Sequence, residues 1–119
     1  QLTALQELST VPETVTGYSD ASEVMVSPDG GYVIVSNRYT DLMAVYRIDP
    51  CTGYLKNTGF FPCLGKTPRY FCFGPNGRCY VANEDSDTIV EFFFDPATGQ
   101  LTPTSRVIPT GSPVCIHFL

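Results

Sequence analysis

Two stretches of this chain spell nearly the same thing 46 residues apart: Asp49-Pro50-Cys51-Thr52-Gly53-Tyr54-Leu55 returns as Asp95-Pro96-Ala97-Thr98-Gly99-Gln100-Leu101. Ser27-Pro28-Asp29-Gly30 likewise returns as Gly74-Pro75-Asn76-Gly77, and Asn37-Arg38-Tyr39-Thr40-Asp41 as Asn83-Glu84-Asp85-Ser86-Asp87. Shorter matches extend the pattern to both ends, since Leu2-Thr3 aligns with Leu101-Thr102 and Ser112-Pro113-Val114-Cys115 with Thr67-Pro68-Arg69-Tyr70. Repetition at roughly 40–50 residues, with a turn signal about every ten, is the signature of β-propeller blades.

At 119 residues the chain has the length of one ordinary domain. The repeat argues that it is part of a larger one, because a blade buries its apolar faces only against neighbouring blades and a ring needs roughly four to eight of them. The sequence therefore predicts an all-β fold, a β-propeller fragment of about two and a half four-stranded antiparallel blades. Residues 1–13 read as the outer strand of a preceding blade, 21–62 as one full blade, 67–110 as a second, and 112–119 as the inner strand of a closing blade. The remaining blades, upstream or on another chain, are the first expected partner.

Runs rich in Val, Ile, Tyr and Phe are separated by Gly, Pro, Asn and Asp clusters, and no stretch sustains the spacing of an amphipathic helix. The first blade is predicted to carry strands at 23–27, 32–36, 43–48 and 55–61, and the second at 70–73, 79–82, 89–94 and 101–108. Pro-Asp-Gly-Gly, Pro-Asn-Gly-Arg and the two Asp-Pro-x-Thr-Gly words supply the turns, with Pro presetting φ and Gly taking the left-handed position. Asp49 and Asp95 serve those turns rather than calcium, for which one carboxylate beside a proline lacks the ligand count. Residues 15–20, polar and carrying Gly17, form an insertion with no counterpart ahead of the second blade.

Seven Lys and Arg against twelve Asp and Glu give a formal charge of −5, which disfavours a phosphate backbone as partner and so argues against nucleic acid. No apolar run approaches the ~20 residues of a membrane helix, so no membrane partner is expected. The five cysteines, at 51, 63, 72, 79 and 115, are odd in number and sit mostly within apolar strand patterns. They read as small buried hydrophobes in a reducing, cytoplasmic setting, with no metal, no cofactor and no obligatory disulfide. Cys72 and Cys79 flank one hairpin turn and are placed to face each other.

Several words in this order carry a resemblance: Glu-Val-x-Val-Ser-Pro-Asp-Gly from Glu23, Val-Ser-Asn-Arg at 35–38, Ala-Val-Tyr-x-Ile-Asp-Pro from Ala44, Thr-Pro-Arg at 67–69, Ala-Asn-Glu-Asp-Ser-Asp at 82–87, and Ser-Pro-Val-Cys-Ile near the end. From about Leu2 to Leu119 the chain resembles the C-terminal blades of the seven-bladed β-propeller lactonase family, which includes 6-phosphogluconolactonases and fungal 3-carboxymuconate cyclases. The resemblance implies chemistry at the channel mouth on a small anionic substrate, a sugar lactone in one branch and a carboxymuconate in the other. In the cyclase branch the site is a His, two Arg and a Glu from several blades, of which only the Arg of Ser-Asn-Arg maps here, onto Arg38. This chain alone then holds an incomplete site.

The residues support Arg38 independently. It follows a strand that ends in Ser36-Asn37, which puts a permanently charged bidentate donor at a strand terminus, able to hold a carboxylate or phosphate. Arg38 is the candidate catalytic residue, and Arg38, Arg69, Glu23 and Glu84 are the candidate substrate-binding residues. For Arg38 the alternative is a surface pair with Asp41 or Glu23. Arg69 begins an innermost strand after a rigid Thr-Pro, and its alternative is an inter-blade salt bridge. Glu23 and Glu84 read equally well as counter-ions of the arginines, and Glu84 stands where the family commonly has Gln. His117, the one histidine, reads as a packed or hydrogen-bonded strand residue on the face of Cys115 rather than a general base. A hydrolytic lactonase, a cycloisomerase and a scaffold that has lost its chemistry all fit these features.

Overall fold

The computed structural model describes residues 1–119, and its eight strands fall into two four-stranded antiparallel sheets. The first has the order β1 (Asp20–Val26), β2 (Tyr32–Arg38), β3 (Leu42–Ile48) and β4 (Leu55–Pro62). The second has the order β5 (Pro68–Phe73), β6 (Cys79–Asn83), β7 (Thr88–Phe94) and β8 (Leu101–Pro109), with one 3-10 turn at Glu84–Ser86 between β6 and β7. Each sheet is an up-and-down meander whose neighbours in sequence are neighbours in space, as a propeller blade requires. Strand β1 begins three residues before the predicted start because its ladder continues past a bulge at Ala21–Glu23, pairing Ala21 with Asn37 and Asp20 with Arg38.

Between the sheets lies an apolar core. Tyr32, Ile34, Met43 and Val45 from the first sheet meet Phe71, Cys79, Val81, Val90 and Phe92 from the second, all of them buried. Each such side chain contributes about 1.5–3 kcal/mol by leaving water, so this one interface supplies most of the apolar stabilisation joining the two halves. A hydroxyl bridge adds direction: Ser22 Oγ donates to the Pro68 carbonyl at 2.6 Å and packs against Ser36 Oγ at 2.8 Å, tying innermost strand β1 to innermost strand β5.

The repeat also prescribes the joints at the rim. Asn37 and Asn83, both fully buried and 46 residues apart, bond backwards, Asn37 Nδ2 to the Thr10 carbonyl at 2.8 Å and Asn83 Nδ2 to the Cys63 carbonyl at 3.3 Å. Asp41 and Asp87, likewise 46 apart and both left-handed with φ near 55°, bond forwards, their Oδ1 atoms each accepting at 2.8 Å from the backbone N–H of Thr67 and Ser112. Each sheet thus grips the segment before it and the segment after it.

The terminal segments pack without forming ladders. No strand forms over 1–13 or 112–119, neither of which makes ladder pairs with an edge strand of either sheet. Residues 1–13 cross the free flank of the first sheet, where Gln6 makes two 2.8 Å bonds with the Leu55 backbone and Tyr46 Oη donates to the Ser9 carbonyl at 2.5 Å. Phe118 rests on Tyr80, ring centroids 5.3 Å apart, and His117 is exposed rather than packed. Cys72 pairs in register with Tyr80 and Cys79 with Phe73, which puts the two thiols on opposite faces of the sheet.

Shifted by one repeat, the first-sheet core residues Tyr32, Ile34, Met43 and Val45 fall on Arg78, Tyr80, Ile89 and Glu91. The face that is apolar in the first blade is therefore polar in the second, and it points away from the core just described. Glu91 is 1% exposed and anchors it. Tyr80 Oη donates to Glu91 Oε2 at 2.7 Å, Thr104 Oγ1 to Oε1 at 2.8 Å and Arg78 Nη1 to Oε1 at 2.9 Å, with Arg106 Nη1 3.7 Å from Oε2. The Tyr80 hydrogen bond, helped by those from Thr104 and Arg78, outweighs burial and holds the Glu91 carboxyl below the usual carboxylate range.

Two predictions follow from this packing. Glu91→Ala strands two arginines and a phenol and lowers unfolding free energy by about 2 kcal/mol in denaturant titration. Because the folded carboxyl titrates below its unfolded value, its contribution is present above about pH 4.3 and is lost as pH falls through the folded value. Melting temperatures of wild type and Glu91→Gln therefore separate at neutral pH and converge in acid. At the rim, a Cβ on Gly65 would lie 2.4 Å from Asn83 Nδ2 and 2.6 Å from Ser86 Oγ. Gly65→Ala is expected to cost about 1–3 kcal/mol, and measurably less in an Asn83→Ala background, by the same titration.

Candidate functional site

One end of the two sheets is conformationally unlike the other. At the end holding the turns 27–31, 49–54, 74–78 and 95–100, every left-handed residue is glycine: Gly30, Gly53, Gly77 and Gly99. At the opposite end the left-handed residues are Tyr39, Asp41, Leu64, Thr67, Asp87 and Ser112, besides Gly17. Asp tolerates this region, but Tyr, Leu and Thr adopt it at a cost of about 1–2 kcal/mol each. Backbone strain retained at one end while ordinary turns serve the other marks that end as the functional candidate.

The ladders bring the sequence candidates there. Asp20 pairs with Arg38 across β1 and β2, and Pro68 with Asn83 across β5 and β6, so the starts of both innermost strands and the ends of both second strands share this mouth. Arg38 is three-quarters buried, and its Nη2 is ion-paired with Asp20 Oδ2. The alternative partners Asp41 and Glu23 are engaged elsewhere: Asp41 holds the Thr67 N–H, and Glu23 Oε1 accepts from the Val24 N–H at 2.9 Å. The Arg38 Nε is buried and has no partner, and the Asp20 pair engages only Nη2, so the donors of the guanidinium are not used up.

Arg69 and Glu84 face one another loosely, Nε to Oε2 at 3.9 Å, across β5 and the turn after β6. That pair lies within the second blade rather than between blades. Half-exposed groups at such a separation attract weakly, so Arg69 remains free to turn to a ligand. Lys66, three residues before Arg69, is exposed and has no carboxylate within salt-bridge distance. Glu23 stands apart from both arginines. The mouth thus carries three cations, of which Arg38 is positioned, Arg69 is loosely held and Lys66 is unpaired.

Sequence reasoning missed Lys66 and two further features of the mouth. Asp20, the fixed counter-ion of Arg38, lies in the 15–20 insertion, whose path the repeat does not specify. Tyr18 lies against Tyr39 in a tilted contact, ring centroids 5.0 Å apart and planes inclined by 56°, beside the same strand ends. The largest groove, about 540 Å³, lies instead along the flank of the first sheet beneath residues 5–10, and its lining of residues such as Leu5, Leu8, Val33 and Val35 includes no charged side chain. It offers burial but no group to move a proton or stabilise developing charge. No three His, Cys, Asp or Glu side chains gather as a metal site would need.

Comparison with known proteins bears on the family and the fold. A family model described as lactonase, 7-bladed beta-propeller, matches residues 1–118. Among curated relatives, the 6-phosphogluconolactonase of Bacillus subtilis is 34% identical over 97% of this chain and 33% of its own length. That of Formosa agariphila is 37% identical over 68% of this chain and 24% of its own length. Among solved structures, the periplasmic gluconolactonase of Pseudomonas aeruginosa superposes with a TM-score of 0.90 at 32% identity, covering 97% of this chain and 32% of that one. A Lactobacillus plantarum protein superposes at 0.87 with 26% identity, over 94% and 33% respectively. The chain spans about a third of the length of the relatives it matches. With its 46-residue repeat, its two four-stranded blades and a family match over nearly every residue, this chain belongs to the seven-bladed β-propeller lactonase family.

Proposed function

We propose that this chain forms blades of a propeller lactonase that hydrolyses a small anionic sugar lactone such as 6-phosphogluconolactone. The observation that carries the reading is Arg38: a permanently charged side chain at the mouth, oriented by Asp20, with its Nε lacking a partner. Lactone hydrolysis adds water to the ring carbonyl, passes through a tetrahedral oxyanion, and expels the ring oxygen as the hydroxyl of the open acid. A prepositioned guanidinium stabilises the negative charge as it develops on the carbonyl oxygen. Arg69 and Lys66 supply further positive charge for a phosphate or carboxylate elsewhere on the substrate.

The group that activates water is not evident among the residues of this mouth, where Asp20 and Asp41 are committed to holding other groups in place. In this reading the His, the other Arg and the Glu that the family resemblance implies come from further blades, and residues 1–13 and 112–119 are strands of the blades on either side. The grips of Asn37 on Thr10 and of Asp87 on Ser112 support that placement, because they repeat the bonds that join the two full blades. A cytoplasmic setting is supported by Cys63 and Cys79, unpaired thiols wholly buried in the core.

The test is turnover of the intact protein with glucono-δ-lactone and 6-phosphogluconolactone, followed as acid release. Hydrolysis is expected, and Arg38→Ala is expected to lower kcat/KM about 100-fold. Its melting temperature should change little, because Asp20 is accessible enough to rehydrate. Inertness of the intact protein toward both lactones, with turnover of a carboxymuconate, would transfer the same mouth to cycloisomerisation. Inertness toward all three would leave a scaffold.

A further inference from the structure

We propose that Tyr18 and Tyr39 form a packing subsite for the ring of the substrate, a hydroxylated six-membered lactone or pyranose, on the segment that carries Arg38; the proposal rests on the lactonase reading of this mouth. Its basis is the insertion at 15–20, three consecutive residues of which engage the end of β2 and the turn after it. Asp20 pairs with Arg38. Ser19 Oγ lies 3.1 Å from Thr40 Oγ1 and 3.4 Å from the Arg38 carbonyl. Tyr18 lies against Tyr39. The insertion is therefore fastened to the segment that carries Arg38, and it brings an aromatic ring with it.

Nothing in the turn requires this arrangement. The second blade joins the same two strands through the 3-10 turn at Glu84–Ser86, with Asp85 in the place of Tyr39, and turns left-handed only at Asp87. Tyr39 instead holds φ 72°, a conformation an aromatic residue adopts at a cost. The strain gains no burial in return, for Tyr39 is 63% exposed and Tyr18 71%. Two strained or inserted tyrosines held in mutual contact, inclined by 56°, open to solvent and fastened to the segment that carries Arg38, offer exposed apolar ring faces with polar edges. The C–H face of a sugar ring packs on such a surface while its hydroxyls remain hydrated or reach the phenol oxygens. The neighbouring guanidinium then meets the exocyclic carbonyl or an anionic substituent of the same ring. The subsite would select cyclic over open-chain ligands, favouring lactone over the acid it yields.

The test uses the intact protein and a ring that cannot be hydrolysed, glucono-δ-lactam, titrated calorimetrically against acyclic gluconate. Wild type is expected to bind the lactam more tightly than gluconate. Tyr18→Ala and Tyr39→Ala should each weaken lactam binding about tenfold and leave gluconate binding nearly unchanged, whereas Tyr18→Phe retains lactam binding. Tyr39→Gly removes the ring and the strain together, and should raise the melting temperature while weakening lactam binding to the same degree. Equal lactam affinity in wild type and both alanine variants, or no lactam binding by wild type, overturns the subsite whatever the turnover assays show. Tyrosine-dependent lactam binding by a protein inert toward lactones sustains the subsite and refutes the lactonase reading alone.

Discussion

The apolar contact between the two sheets is the constraint on which the rest depends. A four-stranded meander has two faces, and in the first sheet one face places Tyr32, Ile34, Met43 and Val45 against Phe71, Val81 and Val90 of the second. Without that contact each sheet would leave a row of large apolar side chains in water, forfeiting the stabilisation their burial supplies. Its geometry also fixes the mouth, because packing the sheets with their innermost strands side by side sets the starts of β1 and β5, and hence Arg38 and Arg69, around a common opening. The placement of the mouth is therefore a consequence of burial at the interface.

The same face has a different composition one repeat later. Where the first blade offers Ile34 and Val45, the second offers Tyr80 and Glu91, with Arg78 and Arg106 gathered around the carboxylate. A charged, fully bonded cluster is a poorer source of stability than an apolar one of equal volume, but it demands matching polar groups from whatever packs on it. The repeat is thus conserved in backbone and varied in face. Equivalent blades become distinguishable, and a distinguishable interface is one way a chain of similar units fixes their order.

Much of the fold was legible in the sequence because turns and period are local properties. Asp-Pro-x-Thr-Gly and Pro-Asp-Gly place the hairpins, and apolar runs such as Tyr32–Val35 place the strands between them. The strand limits at the mouth were less legible, since the pairing of Asp20 with Arg38 depends on a bulge at Ala21–Glu23 and not on any residue preference. Arg38 and Arg69 were readable as strand-end cations. The counter-ion of Arg38 was not, because Asp20 reaches it through an insertion without a repeat partner to align to. Tyr39 was hidden for a related reason: its backbone is left-handed, a conformation that sequence favours for glycine or asparagine and does not announce for an exposed aromatic. Residues 1–13 and 112–119 illustrate the same limit, for a strand exists only where a neighbour completes its ladder.

The most direct measurement of the central claim is native-state hydrogen exchange on the intact protein, followed at the backbone amides of Ile34 and Val45 in the first sheet and Phe71, Val81 and Val90 in the second. If the sheets are adjacent blades sharing one core, these amides open together, with a common free energy and a common sensitivity to denaturant. Independent opening of the two groups, with one sheet remaining protected while the other exchanges, would contradict it.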